Sequence, residues 1–241
     1  MDAFDNADGS EYITAGSMDA NQWNNRDPRL QQIILHDSSE LRTGEYVVTS
    51  RGEDETQDGI GVVFEKSTTT GYYLKKFTNS IIDYNKDNPG STYHIWPLIR
   101  YADILLLYAE MMNEAYGPNI DNGYGLTAIQ AVELVRERAM LAPYSIDPNI
   151  SGEGLISLIK KERRIELCFE DQRYFDLRRW KDAENALNKE VHGVDIVMAN
   201  GVKTYKKVVV DGERKFDAKM YLAPIPYWEV QVLSIPQNPL W

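Results

Sequence analysis

Along residues 97–180 the apolar positions recur with a helical period. From Pro97 onward, Leu98, Ala102, Leu105, Ala109, Met112 and Tyr116 step by four and three, while Asp103, Glu110 and Glu114 form a narrow polar stripe and Gly117–Pro118 supplies a stop. This spacing predicts a mostly buried helix. Ala128, Val132, Val135 and Ala139 mark a second amphipathic helix capped by Thr127, and the two together predict a helical hairpin. Ser151 is the cap of a third, whose extent to Trp180 would be about 40 Å if unbroken; a bend is expected at Asp171–Gln172. On it, Leu155, Leu158, Ile159, Ile165 and Phe169 share one side, and Glu162 and Glu166 fall in the middle of that side. Two carboxylates therefore point at the core.

Elsewhere the pattern is short-ranged. Residues 1–30 are polar and turn-rich, as expected of a structured surface loop, with Trp23 the outlier. GEYVVTS (44–50), GIGVVFE (59–65) and GYYLKKFT (71–78) read as short strands or extended loops. VKTYKKVVVDGERKF (202–216) alternates around Asp211–Gly212 and predicts a hairpin turning there. The proline-rich tail, YLAPIPYWEVQVLSIPQNPLW, can pack in extended form but cannot be one helix. The expectation is a mainly α chain: a loop and short-strand region over 1–96, a helical scaffold over 97–180, and a β-hairpin with an extended tail over 181–241.

Charge and cysteine content narrow the function. A net charge of −11 opposes binding to phosphate backbones, so nucleic acid is not an expected partner. A single cysteine, Cys168, excludes an intrachain disulfide and a cysteine-built metal cluster, and reads as packing. Charges interrupt LIRYADILLLYAEMM well before a membrane-spanning length. The chain opens at MDAFDNADGS as though in mid-domain, with a targeting signal either absent or upstream.

Glu162 and Glu166 invite two readings. Burial beside a like charge raises a carboxyl pKa into the range useful for acid/base catalysis, which would suit a glycoside hydrolase. The same stretch, ERRIELCFEDQRYFDLRRW (162–180), also carries Arg163, Arg164, Arg173, Arg178 and Arg179, and a chain that bends after Glu170 could fold arginines back onto those glutamates. Since an unpaired buried carboxylate is costly, a structural ion-pair network is the favoured reading. His36, His94 and His192 are scattered without a metal-ligand motif, and no nucleophile elbow or P-loop appears. DNADG (5–9) and DYNKDNPG (83–90) could hold calcium but lack the EF-hand pattern, so no metal or cofactor is expected. Tyr12, Trp23, Tyr72, Tyr73, Tyr84, Tyr93 and Trp96 lie among Asn, Asp and Gln in the loop-rich half, where flat rings could stack on sugar faces while amides take the hydroxyls. A helical protein-interaction module without a small ligand is a third reading.

Five segments in order, NRDPRL (25–30), LIRYADILLLYAEMMNEAYG (98–117), AVELVRERAML (131–141), ERRIELCFEDQRYFDLRRW (162–180) and YLAPIPYWEV…QNPLW (221–241), resemble the C-terminal half of SusD/RagB proteins. The resemblance spans nearly the whole chain. It implies a mainly helical scaffold with tetratricopeptide-like hairpins, in a non-catalytic lipoprotein on the outer face of the outer membrane of Bacteroidetes-type bacteria. Such proteins bind oligosaccharides, or in some members peptides, and act as a lid over a SusC-like TonB-dependent transporter barrel. The family's N-terminal half, with its signal peptide and lipidated cysteine, has no counterpart here. Asp171 stands where many relatives carry glycine, which a left-handed turn tolerates. Tyr12, Trp23, Asn24 and Asn25 are the expected ligand contacts, because they precede NRDPRL in a segment of the type that lines the family's cradle.

Overall fold

A computed structural model of the chain describes all residues except 14–17, 53–67, 80–81, 83–89, 92 and 94. The expected strand at 59–65, the DYNKDNPG loop apart from Gly90, and His94 and Tyr84 lie outside the described residues. In chain order the elements are α1 (Arg29–Ile33), β1 (Ile34–Leu35), β2 (Glu40–Arg42), β3 (Glu45–Tyr46), β4 (Ser50–Gly52), β5 (Tyr73–Leu74), α2 (Tyr101–Tyr116), α3 (Ala128–Arg138), α4 (Gly152–Glu166), α5 (Gln172–Arg179), α6 (Ala183–Leu187), β6 (Val191–Ala199), β7 (Val202–Asp211), a 3-10 turn (Ala218–Tyr221) and α7 (Tyr227–Leu233).

The helical scaffold is α2 packed on both α3 and α4. Leu105, Leu106, Ala109 and Met112 of α2 bury against Ala128, Ala131, Val132 and Val135 of α3 and Leu155 and Ile159 of α4. Thr127 caps α3 in a reciprocal capping box with Gln130, and the Ser151 hydroxyl accepts from the Gly154 N–H to start α4. Two details of α2 differ from its periodicity. The helix begins at Tyr101, because Arg100 stays extended and sends its guanidinium to Glu166 and Glu170, which leaves Leu98 82% exposed before the first turn. Asp103 and Glu110 are no solvent stripe: both are buried against arginines of α4 and α5.

The long third helix breaks where expected. It ends at Glu166, and Phe169 and Asp171 both adopt left-handed backbone (φ 63° each) before α5 begins. Asp171 fills the glycine-like position. Phe169, read as part of the apolar face, falls in the break and is half exposed.

A second core joins the ends of the chain. Phe4, Trp23, Leu30, Ile33 and Ile34 pack on Ile165 of α4 and on Val194 and Ile196 of β6. The opening thirty residues are therefore core as well as surface. Their irregular backbone is satisfied locally, with Arg26 donating to the carbonyls of Gln22 and Phe4 at 2.8 and 2.7 Å. A three-stranded sheet places β4 parallel to β6 and β6 antiparallel to β7. Its hairpin turns at Asn200–Gly201, both at positive φ (49° and 72°), so the expected turn at Asp211–Gly212 is corrected: Asp211 is the last residue of β7. Asn-Gly fits a two-residue turn that needs left-handed backbone twice. GEYVVTS divides between β3 and the start of β4, and in GYYLKKFT only Tyr73–Leu74 is strand, paired with β1. The tail has a 3-10 turn and a short helix entered through Pro226, none of whose residues is buried. Among the described residues no helix is long and apolar enough to cross a membrane.

Candidate functional site

Glu162 and Glu166 point inward from α4, and both are fully engaged. Arg29 of α1 is the centre. Its guanidinium binds Asp27 through Nε (3.0 Å) and Nη2 (2.7 Å), and through Nη1 it reaches Glu162 and, at 3.2 Å, Glu166. Arg136 approaches the other Glu162 oxygen at 3.5 Å. Glu166 also accepts from Arg100 at 3.0 Å and from Arg138. Glu170 takes two hydrogen bonds from Arg100 (2.7 and 2.8 Å) and one from Lys76. Burial works against the Arg29 charge, but the field of Glu162 and the hydrogen bonds of Asp27 outweigh it, so the guanidinium holds its proton more tightly than usual. The Glu162 and Glu166 carboxylates are almost fully buried and each is taken up by more than one guanidinium.

Glu162 and Glu166 are ion-paired, but with partners other than those expected. The guanidiniums on Glu162 and Glu166 come from α1, α3 and the segment before α2, and the arginines of ERRIELCFEDQRYFDLRRW serve elsewhere. Arg163 bridges Asp103 of α2 (2.7 Å) and Asp176 of α5 (2.8 Å). Arg178 donates to the Tyr174 carbonyl and lies over the Tyr174 ring. Arg173 makes no hydrogen bond or ion pair among the described residues. Sequence spacing names the helix face but not what lies opposite it. Only the NRDPRL segment, noticed for its resemblance alone, held the main partner.

Trp23 is also corrected. Its ring is 4% exposed, stacked on His36 at 4.2 Å and edge-on to Tyr72 and Tyr205, so it offers no face to a ligand. Tyr12 is half-buried beneath the Arg26 guanidinium, 3.2 Å from the ring centre. Asn24 and Asn25 are exposed on the turn that follows.

An aromatic surface does exist, one layer out. Lys76 is held by the carbonyls of Glu166 (3.1 Å) and Cys168 (3.0 Å) and by Glu170, which pins the turn after β5. The next residue, Phe77, sits at φ 73°, a conformation that an aromatic side chain rarely adopts. Its ring packs against Trp96 at 4.9 Å with a 33° tilt, and Trp96 is 50% exposed. Phe77, Lys76 and Gln32 line two adjoining clefts, of about 590 Å3 and 230 Å3. The larger adds Gln31, Thr43 and Thr78; the smaller has Arg100, Glu166 and Glu170 as its charged wall. Flat rings beside amides and hydroxyls suit a polyhydroxylated ligand. Trp96 was visible in the sequence among the loop aromatics; Phe77 was not, because nothing local to LKKFT shows that Lys76 is anchored to α4.

The same surroundings fix a pH response. Burial pushes the Glu110 and Glu170 carboxyls up, but hydrogen bonds from Arg179 and Trp180 to the first, and from Arg100 and Lys76 to the second, outweigh it and hold both below the ordinary 4.5. Burial lowers His36 below its ordinary 6.5, partly offset by the Asp37 carbonyl. For each group the folded state binds fewer protons than the unfolded one, so its contribution is complete above the ordinary value and is lost as pH falls toward the lowered one. Urea denaturation across pH should show, of these groups, a first decline in stability below about 6.5 and a second below about 4.5, with the Met1 amine, lowered by burial from its ordinary 8.0, acting above them. In His36→Gln the first decline should disappear, and its survival there would refute the assignment.

The whole chain has relatives. A profile of the SusD family matches residues 1–241. SusD-like protein P2 of Formosa agariphila is 34% identical over 163 residues, which cover 64% of this chain and 27% of that protein. The crystal structure of a SusD-like protein from Bacteroides fragilis NCTC 9343 aligns with 100% of this chain at 29% identity and a TM-score of 0.78, over 46% of its own length. A SusD homolog from Bacteroides thetaiotaomicron VPI-5482 shares the fold at 22% identity, with a TM-score of 0.56 over 89% of this chain and 41% of that one. The chain thus spans less than half the length of these relatives. With the helical scaffold, the order of its segments and a profile match from end to end, the chain belongs to the SusD family.

Proposed function

We propose that this chain captures an oligosaccharide at the outer face of the outer membrane and delivers it to a SusC-like TonB-dependent transporter, without catalysing a reaction on it. Membership of the SusD family supports the setting, a lipid-anchored surface protein that hands its ligand to a barrel. The observation that carries the site is the Phe77–Trp96 pair: Phe77, half-buried on a strained turn, lines the cleft with Gln31, Gln32, Thr43 and Thr78, and the half-exposed Trp96 ring packs against it. Gln31 also donates to the Trp23 carbonyl at 3.1 Å, tying the cleft to the loop that displays Asn24 and Asn25, which serve as outlying amides for an extended ligand. The locked state of Glu162 and Glu166 favours binding over glycoside hydrolysis.

If a stacked sugar is held as strongly as a stacked base, each ring contributes on the order of 1–3 kcal/mol, which suits weak, reversible capture. Affinity electrophoresis of the full chain in a panel of polysaccharides tests this. The wild type should be retarded in at least one gel, and Trp96→Ala should weaken that retention about tenfold. Retention unchanged in Trp96→Ala would move the site elsewhere, and no retention in any gel would favour a protein-interaction module. Release of sugar product that vanishes in Glu162→Gln would restore the hydrolase.

A further inference from the structure

The guanidiniums of Arg164 and Arg173 are exceptional in this chain. Elsewhere among the described residues each arginine has a carboxylate or carbonyl partner, from the buried hub of Arg29 to Arg214 on the Leu187 carbonyl at 2.8 Å. Arg164, in the last turn of α4, and Arg173, in the first turn of α5, have neither. The break at Leu167–Asp171 turns α5 back so that both line one pocket of about 390 Å3, a volume within the range of small-ligand sites. Nearby acids are committed: Asp176 holds Arg163 and Arg179, and Asp182 holds Lys160 at 2.6 Å. Asp2 is 3.7 Å from Lys207, and Glu11 is the remaining carboxylate in the lining.

With Lys160, Lys161 and Lys189, the lining carries five cations against three acids, Lys160 and Lys161 being paired with Asp182 and Asp5, in a chain of net charge −11. Half-burial and, next, the field of Arg164 make it harder for Arg173 to hold its charge, which an anion seated beside it would relieve. Asn185, beside Leu177 and Trp180, offers an amide next to an apolar wall.

We propose that this pocket is a second ligand site, which takes an oxyanion carried on a sugar: the carboxylate of a uronic acid or a sulfate ester, held by the forks of Arg164 and Arg173. The sugar rests on the glycan-capture reading above; the oxyanion chemistry does not.

The test is affinity electrophoresis of the full chain in polygalacturonate, dextran sulfate and neutral dextran, with inorganic sulfate titrated separately by calorimetry. The wild type should be retarded in at least one acidic gel, less so at raised salt, and not in dextran. Arg164→Ala, at an exposed position, and Arg173→Gln should each weaken that binding about tenfold or more, since hydrogen bonds to charged groups are of that size. Lys206→Ala, an exposed cation on β7, should leave it unchanged. Equal retention in both arginine variants, or a loss in Lys206→Ala matching theirs, would reduce the effect to diffuse charge and overturn the site. Binding of sulfate with neither polymer bound would overturn the sugar. Retention confined to neutral polysaccharides of the wider panel would sink this site while leaving capture at Trp96 standing, whereas acidic binding lost with Arg164 but indifferent to Trp96→Ala would do the reverse.

Discussion

Arg29→Ala should destabilise the fold by about 3–5 kcal/mol, the largest single effect expected of any charged residue here. The size follows from what is left behind. Among the described residues Asp27 loses its one side-chain partner, Glu162 keeps only Arg136 at 3.5 Å, and Glu166 keeps Arg100 and Arg138. All three acids are buried, so an uncompensated negative charge stays in a region from which water is excluded. Arg29→Lys should recover only part of the loss, because a single ammonium cannot serve three carboxylates through a planar fork. Urea denaturation followed by circular dichroism measures both. A loss below 1 kcal/mol, the value of an exposed pair, would mean that the hub is effectively solvated.

Trp23→Ala should cost about 3–5 kcal/mol through the cavity it opens against His36, Tyr72 and Tyr205. Trp96→Ala, at a half-exposed ring, should change stability by no more than about 0.5 kcal/mol. The two tryptophans thus separate structure from recognition, one by thermal unfolding and the other by loss of ligand. If Trp23→Ala melted like the wild type yet no longer bound polysaccharide, the core assignment of Trp23 would be wrong and the original reading of it as a ligand platform would return.

The contrast between these residues shows what the sequence could reveal. Period and caps are local, so α3 with its Thr127 box, α4 from Ser151, and the turn at Asp171 were all legible. Partner choice is not local. Glu162 could be placed on an inward face from spacing alone, whereas its partner Arg29 lies 133 residues away in a segment of five helical residues with no readable period. Trp23 failed for the same reason: the polar loop around it hides that Ile165 of α4 and Val194 and Ile196 of β6 join it in one buried cluster. The hairpin turn was misplaced because Asp211–Gly212 sits in an alternating stretch, while Asn200–Gly201 is preceded by the less regular VHGVDIVMA. Phe77 was missed because its display depends on Lys76 reaching three acceptors on the segment that ends α4. Apart from the hairpin turn, each miss is a long-range contact that overrides a local pattern.

A double-mutant cycle joining Arg29→Met and Glu162→Gln, read by unfolding free energy, is the most direct test that the inward acids hold architecture. A coupling of about 2 kcal/mol or more is predicted, because Arg29→Met leaves the buried Glu162 with Arg136 alone at 3.5 Å, a charge that Glu162→Gln removes. Additivity within about 0.5 kcal/mol, as for residues that do not interact, would contradict it and leave Glu162 free for another role.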